Sequence, residues 1–319
     1  MRDVVNTWGR FVAGRLLALV VVSVGLVIAT FSMVRLVPGD PAVAAAGINV
    51  TPAELATVRH QLGVDRPYFR QLISYTDGLI HGNLGKSFIT GEPVTSILSV
   101  RLTSSLILAG TALALVFVVA MPLGLAAGAL TREGRHPRTN TVFTAVTSVL
   151  GALPQFLVAT FLAFIFAVWL RVLPVAGSTP PFQSLILPAI AVALAPTAIL
   201  ARLVRSETLN VLAQDYIRTV RSKRLPAHIV YLRHVLPNVL TAALTLAGVI
   251  FANVIAGAVI VENVFARNGI GTELVSAVET HDYQVVQGTI LVLGLIVVAV
   301  NTFIDLSLGV VDPKSGLRR

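Results

Sequence analysis

The sequence predicts an all-α integral membrane protein with about six membrane-spanning helices. Three observations support this fold class. Hydrophobic residues make up 55% of the 319 residues and charged residues only 12%, a balance outside the range of soluble domains. The mean hydropathy of +0.84 agrees with this composition. Charge-free stretches also recur at the length of about 20 residues that a helix needs to cross the hydrocarbon core of a bilayer.

These charge-free stretches place the predicted spans. They cover 16–34, 102–130, 142–170, 182–201, 239–261 and 285–304. The first has no small-residue cleavage pattern at its end and further spans follow it, so we expect a retained helix and not a signal peptide. Membrane helices tolerate proline where neighbouring helices satisfy the freed carbonyl groups. The prolines that interrupt the spans therefore predict a packed bundle; they include Pro122, Pro154, Pro188 and Pro196.

Basic residues set the predicted orientation. Sixteen of the 24 Lys and Arg residues lie near the two chain ends, in 132–138 or in 202–237. Because cytoplasmic loops carry the excess of basic residues, both termini are predicted to be cytoplasmic. A net charge of +9 would also suit a nucleic-acid-binding protein, but in so apolar a chain basic residues more often set orientation, and no nucleic-acid partner is expected. The chain has no cysteine, which excludes disulfides and thiolate metal sites.

The segment 35–101 is polar enough to form a small folded unit outside the membrane. Residues 51–54, Thr-Pro-Ala-Glu, fit a helix capping box, and Gly63 is placed to end that helix. In a second helix, Arg70 and Asp77 are expected to face water. The apolar residues expected on its inner face are Phe69, Leu72, Ile73, Leu79 and Ile80. The unit is either a cap over the bundle or a docking platform for an outside partner.

Residues 82–87 end in Gly-Lys-Ser, as a phosphate-binding loop does. The earlier glycine that such a loop requires falls at Ile80, and no strand precedes the segment. We therefore expect no ATPase site, no catalytic residue and no metal site in this chain. A membrane-embedded enzyme is also disfavoured, because no His-Glu-x-x-His or Gly-x-Ser-x-Gly motif occurs.

The basic segment 202–237 predicts a helix-turn-helix elbow. Asp215 is expected to cap a short helix that starts at Tyr216, since its carboxylate can accept the free amide protons of the first turn. That helix should end near Pro226, and a second helix over 227–235 should lead into the fifth span. On charge alone, the elbow either binds anionic lipid as an orientation signal or enters a groove on another protein.

The order of residues in this segment favours the second interpretation. Residues 215–225, Asp-Tyr-Ile-Arg-Thr-Val-Arg-Ser-Lys-Arg-Leu, and 232–238, Leu-Arg-His-Val-Leu-Pro-Asn, resemble the ATPase-coupling loop of binding-protein-dependent ABC importer permeases. The chain is most similar to the first permease of dipeptide and oligopeptide systems, and the resemblance covers nearly its whole length. Supporting stretches lie at 36–41, 62–67, 82–87, 173–177, 261–265, 269–271 and 312–314.

The resemblance implies a type I ABC importer permease fold in a bacterial inner membrane. The implied partners are a second homologous permease that completes the pore, two ATPase subunits that bind ATP and Mg²⁺ in the cytoplasm, a substrate-binding protein outside, and membrane lipid. No cofactor is expected in this chain itself. The implied divisions are the N-terminus with the first span (1–34), the extracytoplasmic unit (35–101), the permease core (102–311) and a cytoplasmic tail (312–319).

The resemblance also assigns the ATPase-coupling residues. They are Asp215, Tyr216, Ile217, Arg218, Thr219, Arg221, Lys223, Arg224, Leu225 and Pro226. Arg224 departs from the family pattern, which usually has Gly two residues before Pro226. Glycine at this position would permit positive φ or a close approach. Arg224 is therefore expected either to adopt helical dihedral angles or to extend a long side chain toward the ATPase.

Polar side chains within the apolar spans are candidates for the translocation path, because such groups usually face the bundle interior or a cavity. Gln155, Asn253 and Glu262 are the candidates. Instead of lining the path, Glu262 and Asp305 could pair with Arg residues or form hydrogen bonds at helix interfaces.

Two questions about function stay open at this point. A secondary transporter or channel is the alternative class, although the intramembrane ionisable relays and inverted repeats expected of it are not evident. Within the ABC permeases, peptides, nickel chelates and other small solutes are all served by similar chains. The substrate therefore depends on the binding protein.

Overall fold

The structure is a computed structural model that describes residues 2–36, 41–46, 50–63, 65–177 and 182–311. Within these ranges the regular structure is helical, apart from an isolated antiparallel bridge between Lys86 and Pro93. The all-helical fold class is therefore confirmed. The predicted tail 312–319 and the stretch 37–40 of the family pattern lie outside the described residues.

Thirteen α-helices are described in these ranges. They are α1 (Arg2–Leu36), α2 (Pro41–Ala46), α3 (Pro52–Leu62), α4 (Tyr68–Ile80), α5 (Val94–Thr131), α6 (Pro137–Ala152), α7 (Gln155–Leu162), α8 (Gln183–Leu212), α9 (Asp215–Ser222), α10 (Ala227–Ile229), α11 (Leu236–Val264), α12 (Ile270–Glu279) and α13 (Tyr283–Val311). A 3₁₀ turn, Arg132–Gly134, follows α5. Wider π-helical turns extend α7 over Ala163–Trp169 and join α10 to α11 over Val230–Val235.

Five helical segments of the described chain are long and apolar enough to span a membrane. They are Gly9–Met33 in α1, Val94–Gly134 in α5 and the turn after it, Gln183–Leu212 in α8, Ala227–Val264 in α10 and α11, and Tyr283–Gly309 in α13. A sixth span exists if α6 and α7 are counted as one bent element. The structure thus has five or six candidate spans.

The predicted third span, 142–170, is not one straight helix. α6 and α7 meet at an angle of 95° across a break at Leu153 and Pro154. Leu153 has extended dihedral angles, φ −68° and ψ 125°, because the ring of the following proline disfavours the helical conformation. The other prolines singled out in the sequence lie inside the continuous helices α5 and α8: Pro122, Pro188 and Pro196.

α8 lies at the centre of the bundle and packs against α5, α6, α7 and α11. Its contact with α5 is close because two glycines of α5 face it. A Cβ atom on Gly124 would lie 2.6 Å from the carbonyl oxygen of Ala201, and one on Gly128 would lie 2.7 Å from the Thr208 side chain. Small residues spaced four apart are typical of membrane helices that approach closely.

α1 packs along α13 at the edge of the bundle. Arg15 and Asp305 form an ion pair between them, with 2.8 Å separating Nη1 and Oδ2. Leu26 of α1 also fits against Gly294 of α13, where a Cβ atom would lie 2.5 Å from it. Of the two roles left open for Asp305, pairing with an Arg residue is the one observed.

The capping box at the start of α3 is confirmed. Thr51 Oγ1 accepts a hydrogen bond from Glu54 N at 3.4 Å, and Glu54 Oε2 accepts one from Thr51 N at 2.9 Å. The hydrogen bonds that Thr51 N and Thr51 Oγ1 donate to the Glu54 carboxylate lower the pKa of that group, which favours the charged form that caps the helix. Gly63 ends α3 with a positive φ of 66°, as the sequence indicated.

The residues predicted for the inner face of α4 are partly wrong. Its two tyrosines, Tyr68 and Tyr75, pack on Phe31 of α1 with ring centroids 5.4 and 5.6 Å away. The Tyr68 hydroxyl also hydrogen-bonds to Ser32 at 2.7 Å. The amphipathic tyrosines therefore take the inner face, since they combine an apolar ring with a polar tip. Three residues expected on that face are exposed instead: Phe69, Ile73 and Ile80.

Candidate functional site

The predicted elbow between the spans α8 and α11 is present, with its first helix displaced by one residue. Gln214, with extended dihedral angles, occupies the position before α9, and Asp215 is the first helical residue. The prediction that Asp215 caps the helix is therefore wrong. Its carboxylate accepts a hydrogen bond from Arg218 Nη1 at 3.2 Å, and its negative charge in the first turn still complements the helix dipole.

The turn after α9 depends on the backbone of Arg224. α9 ends at Ser222, earlier than the predicted end near Pro226. Arg224 has a φ of +56°, in the left-handed region that glycine adopts without steric cost, and its amide donates to the Arg221 carbonyl at 2.9 Å. Of the two alternatives for Arg224, right-handed helical dihedral angles are therefore not the one observed. Arg224 keeps the positive φ that the usual family glycine would permit, and its side chain is exposed.

One face of α9 anchors the elbow to the bundle. Ile217 is fully buried in the main hydrophobic core, which also contains Val230 and Val235 of the second arm. The Tyr216 hydroxyl donates to the carbonyl of His234 at 3.2 Å and accepts from Asn238 Nδ2 at 3.1 Å. Partial burial raises the pKa of Tyr216 above its ordinary value. The two arms of the elbow are thus tied together.

The other face of α9 and the following turn carry basic charge. Arg221 is half-buried, and its Nη2 is enclosed without a hydrogen-bond partner among the described residues. Thr219 Oγ1 donates to the Asp215 carbonyl at 3.3 Å. The exposed residues of this surface are Arg218, Thr219, Lys223, Arg224, Leu225 and Pro226. An elbow that is apolar inside and basic outside can bind a complementary surface on another protein.

The three candidates for the translocation path lie in different surroundings. Asn253 is exposed and donates to the Val249 carbonyl of its own helix at 2.9 Å. Gln155, the first residue of α7 after the 95° bend, is half-buried with its amide directly against Gly257, one turn from Asn253 on α11. Glu262 is fully buried. Gln155 thus contacts α11 one turn from Asn253, and Glu262 lies farther along α11.

Glu262 is the centre of a buried polar cluster. Its Oε2 accepts a hydrogen bond from Gly271 N at 2.7 Å, and the backbone of Gly269 packs directly against its carboxylate. Ser105 of α5 accepts a bond from the amide of Ile270 at 2.8 Å. The connection between α11 and α12 is therefore fixed to α5. The two glycines are required because a Cβ atom on either would overlap Glu262.

Arginine side chains extend this cluster to neighbouring helices. Arg267 Nη1 donates to the Ser184 carbonyl at 3.0 Å, which ties the connection to the start of α8. Arg101 of α5 pairs with Glu273 of α12 at 2.8 Å and donates to Asn268 at 2.9 Å. Sequence reasoning left hydrogen bonding at a helix interface open for Glu262, but it did not predict the other members of this cluster. The signal was the Gly269-Ile270-Gly271 stretch close after an intramembrane carboxylate.

The Gly-Lys-Ser segment 82–87 has a structural role. Its Ser87 hydroxyl forms a buried hydrogen bond with Asp282 Oδ2, and the other carboxylate oxygen accepts from Phe88 N at 3.1 Å. Gly85 has a φ of +87° and lies directly against Gln284, whose Nε2 donates to the Leu84 carbonyl at 2.7 Å. The segment joins the polar unit to the start of α13.

Comparison with known families decides which kind of protein this is. Residues 120–316 match the family described as the binding-protein-dependent transport system inner membrane component. Residues 9–109 match the N-terminal region of the membrane component of such systems. The chain belongs to this family. It is therefore a multi-pass inner-membrane permease subunit, a non-catalytic component of a transport system, and the family predicted from the elbow is confirmed.

Curated relatives of this permease cover almost its entire length. A putative peptide transport system permease of Brucella abortus is 37% identical over 294 residues, covering 90% of this chain and 92% of its own. The dipeptide transport system permease of Alkalihalophilus pseudofirmus is 32% identical over 327 residues, covering 94% and 97%. A probable peptide ABC transporter permease of Sinorhizobium fredii is 32% identical over 313 residues, covering 96% and 99%.

The fold of the permease resembles a solved ABC transporter structure. One chain of the inward-facing MetNI methionine ABC transporter aligns with a TM-score of 0.53 at 18% identity, covering 68% of this chain and 96% of that one. The permease family implies ABC ATPase and binding-protein partners.

Proposed function

We propose that this permease carries dipeptides or short oligopeptides through a pore that it forms with a second homologous permease. The peptide names of its relatives, at up to 37% identity over nearly the whole chain, support this substrate class. Two ATPase subunits would bind ATP and Mg²⁺ in the cytoplasm, and a binding protein would deliver substrate from outside. The chain contributes six spans in a type I arrangement, with α6 and α7 as one bent span and both termini cytoplasmic.

The elbow from Asp215 to Pro226 is the proposed contact with an ATPase subunit. The observation that supports this proposal is that the elbow has two different faces. Ile217 is buried in the core, while Arg218 and Lys223 are exposed. Because the elbow lies between α8 and α11, an ATPase that displaces it also displaces two central helices. Packed helices shift between discrete arrangements, so such a displacement can switch the pore between its two sides.

The other parts of the chain take the following proposed roles. The core 102–311 forms half of the pore, with Gln155 and Asn253 beside the route and Glu262 at its outer end. The extracytoplasmic unit 35–101 caps the core and receives the binding protein. Few charges line such a route, which suits a carrier of varied peptides.

Charge reversal on α9 tests the coupling role. The double variant Arg218→Glu, Lys223→Glu leaves Ile217 in place and reverses only exposed side chains. In proteoliposomes with all subunits, we expect peptide-stimulated ATP hydrolysis and uptake of a labelled dipeptide to fall at least tenfold. Arg135→Glu, an exposed charge on another basic loop, serves as the matched control. Unchanged hydrolysis and uptake in the double variant would remove the coupling proposal.

Competition for uptake tests the substrate class separately. Unlabelled dipeptides and tripeptides should inhibit uptake of the labelled dipeptide, and a nickel chelate should not. Uptake of the nickel chelate with no uptake of peptide would assign the transporter to another solute while leaving the coupling role intact.

A further inference from the structure

An apolar groove opens between α5, α6 and α8, away from the proposed route. Its volume is about 620 Å³, within the range of roughly 300–1,000 Å³ found for small-molecule sites. Each helix contributes aliphatic side chains to its wall. Examples are Val119 and Leu123 of α5, Val142 and Val146 of α6, and Leu194 and Ala198 of α8.

The charge of the groove lies at one end. Arg138, in the first turn of α6, is the charged residue of the lining, and Thr139 lies beside it. Farther along, the Thr147 hydroxyl donates to the Phe143 carbonyl of its own helix at 2.7 Å. That bond satisfies the hydroxyl, and beyond the charged end the lining is apolar except for Thr147 and Thr197.

The Arg138 guanidinium is available to a ligand. It is exposed, and no hydrogen bond or ion pair is formed by its side chain within the part of the chain that the structure describes. Two of its basic neighbours are already engaged. Arg135 pairs with Glu133 at 3.5 Å, and Arg205 donates to Asn140 at 2.5 Å. Arg138 is thus a free positive charge at the mouth of an apolar groove in a membrane protein.

We propose that this groove binds one acyl chain of an anionic phospholipid whose headgroup phosphate contacts Arg138. Basic pockets between membrane helices commonly bind anionic headgroups. The wall from Arg138 to Leu150 extends about 18 Å along α6. An acyl chain crosses one leaflet, about 15 Å of hydrocarbon, so the groove is long enough to hold it.

The charge at the mouth of the groove favours a lipid chain over a helix of a sister permease. A helix seated on the groove would leave Arg138 beside apolar side chains unless it supplied a carboxylate. A phospholipid supplies both the chain and the negative charge.

Fluorescence quenching by brominated lipids tests the proposal on the assembled transporter. The chain has no cysteine, so a bimane label on Val149→Cys reports from one position once any cysteines of the other subunits are replaced. Val149 is 60% exposed and lies one helical turn from Val146, next to the groove. At equal mole fraction, brominated phosphatidylglycerol should quench at least threefold more than brominated phosphatidylcholine.

Two further variants and a control identify the site. Arg138→Ala should abolish the preference for the anionic lipid, and Val146→Trp should abolish it by filling the groove with Arg138 still present. Arg135→Ala, which removes a charge already paired, should leave the preference unchanged. Retained ATP hydrolysis and subunit composition show that each variant is assembled.

Several results would overturn the proposal. Equal quenching by the two lipids in the Val149→Cys parent would mean that no anionic lipid is selected. Absence of quenching by either lipid would mean that another subunit covers the groove. A preference that survives both Arg138→Ala and Val146→Trp would place the selected lipid elsewhere.

Discussion

At the scale of single residues, the backbone conformation of Arg224 explains why the family usually has glycine at this position. The left-handed conformation costs a non-glycine residue about 1–2 kcal/mol, and glycine almost nothing. Arg224 adopts it with a φ of +56°, while the preceding Lys223 has an ordinary φ of −74°. The turn of the elbow is thus maintained by the surrounding structure despite an unfavourable residue.

A valine scan of the turn should separate these two positions. Arg224→Val should make the elbow less stable than the parent, which already bears the cost of about 1–2 kcal/mol for a non-glycine residue, because a β-branched residue is tolerated at positive φ even less well. Lys223→Val, also at an exposed position, should have little effect, and Arg224→Gly should equal or exceed the parent in stability. Hydrogen exchange of the α9 amides measures the local difference. Equal rates of amide hydrogen exchange in the two valine variants would show that the backbone is not strained at Arg224.

Glu262 provides a second test at the residue scale. Removing one partner of a buried polar cluster leaves donors unsatisfied, so Glu262→Ala should cost about 3 kcal/mol. Glu262→Gln retains an oxygen for Gly271 N and should be milder. The exposed Glu279→Ala is the matched control on the nearby α12. Thermal unfolding of the purified transporter is the measurement, and equal midpoints for the two alanine variants would show that the cluster contributes no stability.

At the scale of elements, close helix approach and proline breaks determine the bundle. Gly124 and Gly128 let α5 lie directly on α8. Pro154 separates α6 from α7 with a 95° change of direction, which leaves Gln155 against Gly257 of α11. The elbow then follows α8 without leaving the core, since Ile217 is buried there.

Two alanine substitutions in α5 test this packing. Gly124→Ala would place Cβ 2.6 Å from the Ala201 carbonyl, and such overpacking should cost about 1–3 kcal/mol. Gly110→Ala has open space within 4 Å of the new atom and should be neutral or stabilising, because alanine favours a helix over glycine. The yield and thermal midpoint of the purified subunit measure both. A neutral Gly124→Ala would mean that the two helices can separate at no cost.

At the scale of the whole molecule, distant segments are joined on the proposed outer side. Asp282 binds Ser87, and Arg101 pairs with Glu273, so the unit before α5 and the α12 connection form one surface. α1 is attached to α13 through Arg15 and Asp305. A displacement of the central helices would therefore be transmitted to this surface.

Purification tests the proposed assembly. A tagged chain extracted in mild detergent should recover a second permease of similar size at a one-to-one ratio, together with ATPase subunits. Quantitative mass spectrometry of the purified complex measures that ratio. A transport-competent complex containing only this permease would contradict the proposed heterodimer, and transport by the chain alone under an ion gradient would favour a secondary transporter.

The sequence by itself determined the membrane class, five of the spans, the elbow and the family. These follow from local composition and from residue order, which a single chain displays directly. Hydrophobicity over about 20 residues suffices to place a span, and an ordered motif suffices to suggest the coupling loop.

Only the tertiary structure decided which side chains of distant segments meet. Four prolines looked alike in sequence, and only Pro154 breaks its helix, while the others remain within α5 and α8. The inner face of α4 is the one whose tyrosines pack on Phe31. Glu262 is buried against Gly269 and Gly271, which follow it by no more than nine residues. The surrounding turn holds Arg224 in its left-handed conformation. Each outcome depends on contacts between elements, and hydrophobic periodicity carries no information about those contacts.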